Sequence, residues 1–227
     1  MYLGLGLRVR SAIYKRTSAS SILSGLLAYW KLDTNSWLDS SGNGNTLAYF
    51  GSQVSTATGK IGNSALFSGS NCLYKSSFSI TTNCSFSFWF KSSTTTGADI
   101  GVGVGEVNGG YAGGFRVLSI DGQIYFQCPT NDVAISSGSY CDGTFHHCVA
   151  VASGDSTKLY LDGSLDGEFT GSLGTVSKSD MLIGSFSDGV AQNGTQIHEV
   201  GVWNRVLTGT EITSLYNAGV GKTYPFS

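Results

Sequence analysis

"CSFSFWFK" (residues 84–91) alternates without interruption, with Phe86, Phe88 and Phe90 on one side and Ser85, Ser87 and Trp89 on the other. Successive side chains of an extended chain point to opposite faces, so a period of two gathers the three phenyl rings onto one apolar surface. A helix would scatter them around its axis. The segment therefore reads as a strand with its phenylalanine face in a core.

The same period runs through "LLAYWKL" (26–32), "GFRVLSI" (114–120), "QIYFQC" (123–128), "HHCVAVA" (146–152), "TKLYLD" (157–162) and "QIHEVGVW" (196–203). Asp121-Gly122 and Asp162-Gly163 tolerate positive φ and suit type I′ hairpin turns between such strands. Pro occurs only at 129 and 225, and nothing in the composition marks a second domain. Short strands at regular spacing predict one all-β, antiparallel sandwich. A single helix breaks the pattern: Thr208 and Glu211 fit a capping box, Ile212, Leu215 and Tyr216 form an apolar stripe, and Gly219 is expected to end it. Trp30, Trp89 and Trp203 lie inside strand patterns and are expected in the core.

Among 227 residues only 12% are charged, 32 are glycine, and the net charge is −2. That balance gives no electrostatic case for nucleic acid or an anionic membrane as partner. The charge is uneven, however: Arg8, Arg10, Lys15 and Arg16 fall within residues 1–24, which hold no acid. Residues 1–24 are expected to form a basic anchoring arm ahead of a sandwich over 25–227. Tyr2, Leu5 and Leu7 are its apolar anchors, and the four basic residues pair with other virion or surface proteins. The basic residues follow the apolar ones, a poor match to a signal peptide. Cys72, Cys84, Cys128, Cys141 and Cys148 cannot all pair; Cys128 and Cys141 could close a loop, but without a secretion signal free thiols are the expectation, with Cys148 a small buried one.

Seven segments in order resemble the laminin-G-like, concanavalin A-type jelly-roll family: "GLLAYWKLD" (25–33), "DSSGNGN" (39–45), "GKIGNSALFSGSN" (59–71), "CSFSFWFK", "DGTFHHCVAV" (142–151), "KLYLDGSLDG" (158–167) and "IHEVGVWNRVLTGTEITSLYNAG" (197–219). The closing "LYNAGVGKTYPF" is similar to phage-virion members. The resemblance implies two face-to-face sheets and a binding role toward glycans or proteins, often with Ca²⁺. It departs at His198, where the family carries Asp, and at Phe145, where it carries Trp. From it follow three readings. The first is a non-catalytic virion or extracellular-surface protein, in capsid decoration or tail, whose sandwich grips glycans. The second is a soluble or cell-surface carbohydrate-binding module. The third is a glycoside hydrolase of the same fold.

The residues weigh these readings. Asp39, Asn43 and Asn45 offer side-chain oxygens in a Gly-rich loop, either as a Ca²⁺ site or as an Asx-type turn whose polar groups bond their own backbone. One carboxylate is thin charge for a divalent ion, which favours the turn. A retaining glycosidase needs two carboxylates about 5–5.5 Å apart. "QIHEVGVW" supplies only Glu199, with Ile197 and Gly201 expected beside it, so no enzyme is expected. His146 and His147 should face opposite sides, with His147 semi-buried beside Val149 and Val151 and His198 beside Val200 and Val202. "GVGVGEVNGGYAGG" (101–114) lacks the lysine and following helix of a phosphate loop. Trp37, Tyr111 and Tyr140 are the candidate sugar-stacking aromatics.

Overall fold

The computed structural model describes residues 19–69, 71–106, 113–184 and 192–226. A short helix, α1 (Ala19–Leu23), leads into β1 (Leu26–Trp30), β2 (Ala48–Gly51), β3 (Ser55–Thr58), β4 (Asn63–Gly69), β5 (Asn71–Lys75) and β6 (Cys84–Lys91). Then come β7 (Ala98–Gly105), β8 (Arg116–Ile120), β9 (Gln123–Gln127), β10 (Val133–Ser139) and β11 (His146–Ser153). The chain closes with β12 (Ser156–Leu161), β13 (Ser164–Thr170), β14 (Asp180–Gly184), β15 (Gln192–Trp203) and α2 (Gly209–Tyr216).

These strands form two antiparallel sheets. The larger runs β13-β12-β11-β6-β15-β4-β3, with β1 also on β15, and the smaller runs β10-β9-β8-β7-β14-β5-β2. Phe86, Phe88 and Phe90 point into the space between them, where they meet Val102, Val117, Phe126 and Ile183. Phe86 and Phe126 meet edge-on across the layers with centroids 6.2 Å apart. Each such ring contributes about 1.5–3 kcal/mol by leaving water. Asp121 and Gly122 have φ of 50° and 84°, and Asp162 and Gly163 of 50° and 80°, as type I′ turns require.

Ser85, Ser87 and Trp89 face away from the phenylalanines, as the alternation predicts, yet Trp89 is buried too. The outer face of the large sheet is covered: Tyr29, Val149, Val151 and Trp203 pack against Ile22, Leu207, Ile212, Leu215 and Phe226. The capping box forms between Thr208 and Glu211, and Arg205 fixes Glu211 at 2.7 and 2.9 Å, which holds that carboxyl down at about 2. The helix ends two residues earlier than expected, with Asn217 taking the left-handed C-cap at φ 49° ahead of Gly219.

The expected arm divides. Ile22 is 1% exposed, its carbonyl accepts from Trp203 Nε1 at 2.6 Å, and Arg205 bonds the carbonyls of Ser21 and Ser24. The apolar face of Trp203 needs a cover, and Ile22 of α1 supplies it, so residues 21–24 pack against the sandwich. Tyr2, Leu5, Leu7, Arg8, Arg10, Lys15 and Arg16 lie outside the described residues, as does Tyr111. All five cysteines are free and buried. Among the described residues no helix is long and apolar enough to cross a membrane.

Candidate functional site

The loop after β1 folds as a turn laced to its own strand. Asp39 Oδ1 accepts from the backbone of Tyr29 (3.1 Å) and Ser41 (2.9 Å) and from Ser41 Oγ (2.6 Å), while Oδ2 accepts from Asn45 N (2.9 Å). Asn43 and Asn45 turn their NH₂ groups, not their oxygens, onto the carbonyls of Leu26 and Leu27. Gly42 and Gly44 sit at φ 86° and 79°, positions that no side-chain-bearing residue takes without strain. A Ca²⁺ ion needs six to eight oxygen lone pairs, and this carboxylate already faces three N–H groups and a hydroxyl. The donor set does not fit the ion. Trp37 is likewise corrected as a free stacking platform: it is 5% exposed and lies in the main core, because its indole escapes water by folding under the turn.

Glu199 departs most from simple alternation. A bulge falls between His198 and Gly201, Glu199 takes φ 53°, and its N–H bonds Lys31 O at 3.1 Å instead of the ladder. One inserted residue reverses the faces beyond it. Val200 and Val202 therefore point into the core, and His198 lies with Trp89 and His147 in one row on the opposite face, not beside those valines. Nor does Glu199 stand between Ile197 and Gly201. Its carboxyl is 4% exposed against the Tyr29 hydroxyl, and burial pushes it up to about 7. Substrate has no access there.

The other histidines are structural. His147 is buried, bonds Ser87 Oγ at 2.9 Å, and is lowered to about 4 by burial. His198 accepts from Lys60 N at 3.2 Å and is lowered by burial to about 3. His146, facing the other way, is bracketed: Asp162 sits 2.7 Å from Nδ1, and Asp142 and Thr144 sit 3.2 and 3.1 Å from Nε2. The bond to Asp162 leads in raising its pKa. Carboxylates beside both nitrogens favour the protonated ring. Tyr140 belongs to this cluster, its ring edge-on to His146 at 5.1 Å and its hydroxyl pushed up to about 12 by burial and then by Asp166. Among the described residues no three His, Cys, Asp or Glu side chains converge as metal ligands.

The outer face of the small sheet is built differently. Pairing register aligns Val133, Gln127, Arg116, Gly103, Leu182, Tyr74 and Ala48 in one row across it. Beside that row lie Ile135, Tyr125, Leu118 and Gly101, then Gly184, Cys72 and Phe50. Leu118, Leu182 and Cys72 form a buried apolar base on which half-buried Tyr74 and Tyr125 rest, with Phe50 exposed at the edge. Gln127 Oε1 accepts from Arg116 Nε at 2.5 Å. Gly103 keeps the floor low, since a Cβ there would lie 2.2 Å from Phe115 O. From Gln127 on β9 to Tyr74 on β5 the row crosses four strand spacings, about 19 Å. Both described helices lie on the far side of the sandwich. The signal for this face is "QIYFQ" (123–127): Ile124 and Phe126 turn inward, which leaves Gln123, Tyr125 and Gln127 outward.

Two antiparallel sheets, one covered on its outer face and the other presenting an aromatic face that no described helix covers, define a jelly-roll sandwich. The laminin-G-type profile of the concanavalin A-like lectin/glucanases superfamily matches residues 62–213, and the chain belongs to that superfamily. No curated protein matches it in sequence. Among solved structures it is similar to domain 4 of a GH43 extracellular arabinanase from Geobacillus stearothermophilus in complex with arabinotriose (TM-score 0.67, 16% identity, 87% of this chain and 98% of that one). It is also similar to the botulinum neurotoxin serotype D binding domain (0.69, 16%, 89% and 53%). A third is the botulinum neurotoxin type C structure that ties cell entry to two ganglioside molecules (0.70, 14%, 90% and 53%). The chain spans about half the length of these toxin chains. At such identities the likeness is one of fold.

Proposed function

We propose that this chain is a non-catalytic glycan-binding module whose binding surface is the outer face of the small sheet. The observation that carries this reading is the row from Gln127 to Tyr74. Two tyrosine rings offer flat apolar faces to sugar C–H groups, the polar side chains of Gln123, Gln127 and Arg116, bonded to one another and to neighbouring strands, lie beside them, and glycines keep the floor low for a chain of sugars. The arabinotriose complex of one similar structure and the dependence of type C neurotoxin cell entry on two ganglioside molecules support the same class of ligand. The isolation of Glu199 under the C-terminal segment supports the non-enzyme reading. Display on a virion or extracellular surface through the basic N-terminal residues is the second part of the proposal, and it rests on their sequence.

The test uses immobilised polysaccharides, arabino-oligosaccharides and ganglioside headgroups as probes. Tyr125→Ala and Tyr74→Ala should each weaken any binding several-fold to about tenfold, since a ring stacked face-on is worth on the order of 0.5–1.5 kcal/mol beyond the area it buries. Trp37→Ala should act only through stability. No reducing sugar should be released. Binding that survives both tyrosine substitutions would move the site elsewhere, and sugar release would make the chain a hydrolase.

A further inference from the structure

The C-terminal segment, residues 222–226, lies across the covered face of the large sheet. Phe226 packs edge-on against Tyr29 at 5.0 Å and beside Trp203 at 6.4 Å, and Tyr224 lies 5.8 Å from Tyr29. One polar group underlies this apolar strap. The Tyr29 hydroxyl shares a short hydrogen bond with Glu199 Oε2 and stands 3.3 Å from Lys222 O. A phenol has one proton, so it cannot donate to both. Which way it points depends on whether the carboxyl carries a proton of its own.

We propose that the Glu199 proton is a latch for the C-terminal strap. With the carboxyl neutral, its O–H donates to the Tyr29 oxygen, Tyr29 donates onward to the Lys222 carbonyl, and the strap is tied down. When the proton leaves, Tyr29 turns its hydrogen to the carboxylate, the Lys222 carbonyl loses its donor, and a buried charge remains that Tyr29, Thr223 and Lys31 stabilise by less than burial penalises it. Among the described residues Glu199 makes no ion pair. The groups acting on it are Tyr29 and Lys31 from β1 and its end, Asp33 beyond, and the Thr223 side chain from the strap, while Lys222 turns its Nζ to the Phe226 carbonyl at 3.5 Å. Lys31 and Asp33 oppose one another. The bulge and the left-handed φ of Glu199 are what aim this carboxyl at the strap.

The direction of the effect follows from burial. The pKa is raised when the strap is closed, so closure is favoured below the ordinary carboxyl range and lost as pH rises through about 7. For a closed-state value of about 7 and an open-state value near 4.5, the open fraction grows about tenfold between about pH 6 and pH 8.5. The experiment is amide hydrogen exchange by NMR at Thr223, Tyr224 and Phe226, corrected for intrinsic rates, with the amides of β6 as control. In the full chain the strap amides should open about tenfold more at the higher pH, and the Glu199 carboxyl carbon should titrate with the same midpoint. In Glu199→Gln the amide N–H replaces the carboxyl proton, so the strap should stay closed at both pH values. Tyr29→Phe should leave it open at both. A wild-type strap without pH dependence, or a Glu199→Gln strap that keeps it, overturns the latch; the carboxyl titration in the wild type decides the matter even if a variant fails to fold.

Discussion

Removing the Asp39 carboxylate would strand the N–H groups of Tyr29, Ser41 and Asn45 together with the Ser41 hydroxyl. Hydrogen bonds to a charged acceptor are worth about 1.5–3 kcal/mol each, and water recovers part of that at a half-buried site. Asp39→Ala should therefore destabilise the chain by about 2–3 kcal/mol in denaturant unfolding. Its melting temperature should be the same in millimolar Ca²⁺ as in EDTA, and so should that of the wild type. A wild-type rise with Ca²⁺ that Asp39→Ala abolishes would restore the metal. The sequence already leaned toward the turn, since "DSSGNGN" carries one carboxylate. It gave no sign that Trp37, next to such a polar run, would turn inward, because burial of a loop residue depends on what folds over it.

Strand periodicity made β6, β9, β11 and β12 legible, because in each a large apolar residue recurs at every second position. β7 escaped notice for the opposite reason: in "ADIGVGVG" the outward positions are glycines, which read locally as loop. β2, β3, β10 and β13 are short or lie at sheet edges, where polar residues on both sides erase alternation. The β15 bulge is invisible to any period-of-two reading, and it misplaced His198 and Glu199 together. Helix α1 is the element whose effect reaches furthest from its sequence signal. Ile22→Ala should cost about 2–4 kcal/mol, the usual range for emptying a buried aliphatic site. A chain begun at Gly25 also leaves Trp203 Nε1 without its acceptor, and should melt on the order of 10 °C below one begun at Ala19. Equal melting temperatures would show that α1 adds nothing to the packed body.

The sandwich as a whole separates two surfaces. The large sheet is closed over by α1, α2 and the C-terminal strap, with Glu199 beneath, whereas the small sheet turns Tyr74, Tyr125 and Arg116 outward on the far side. Between them lies a continuous core of Phe67, Phe86, Phe88, Phe90, Phe115 and Phe126, fully buried and close-packed. Close-packed interiors resist small displacements, and coupling across one requires an element with two discrete arrangements that both sites bias. The strap is such an element, but its contacts, Tyr29, Trp203, Ile22 and Glu199, all lie on the covered face. Glycan affinity measured at the small sheet should therefore be the same at about pH 6 and pH 8.5, and Glu199→Gln should leave it within about twofold, less than 0.5 kcal/mol. Tyr125→Ala, in turn, should leave strap exchange unchanged. A glycan affinity that follows the Glu199 titration would mean that opening the strap repacks the phenylalanine layer, and would join the two faces into one regulated site.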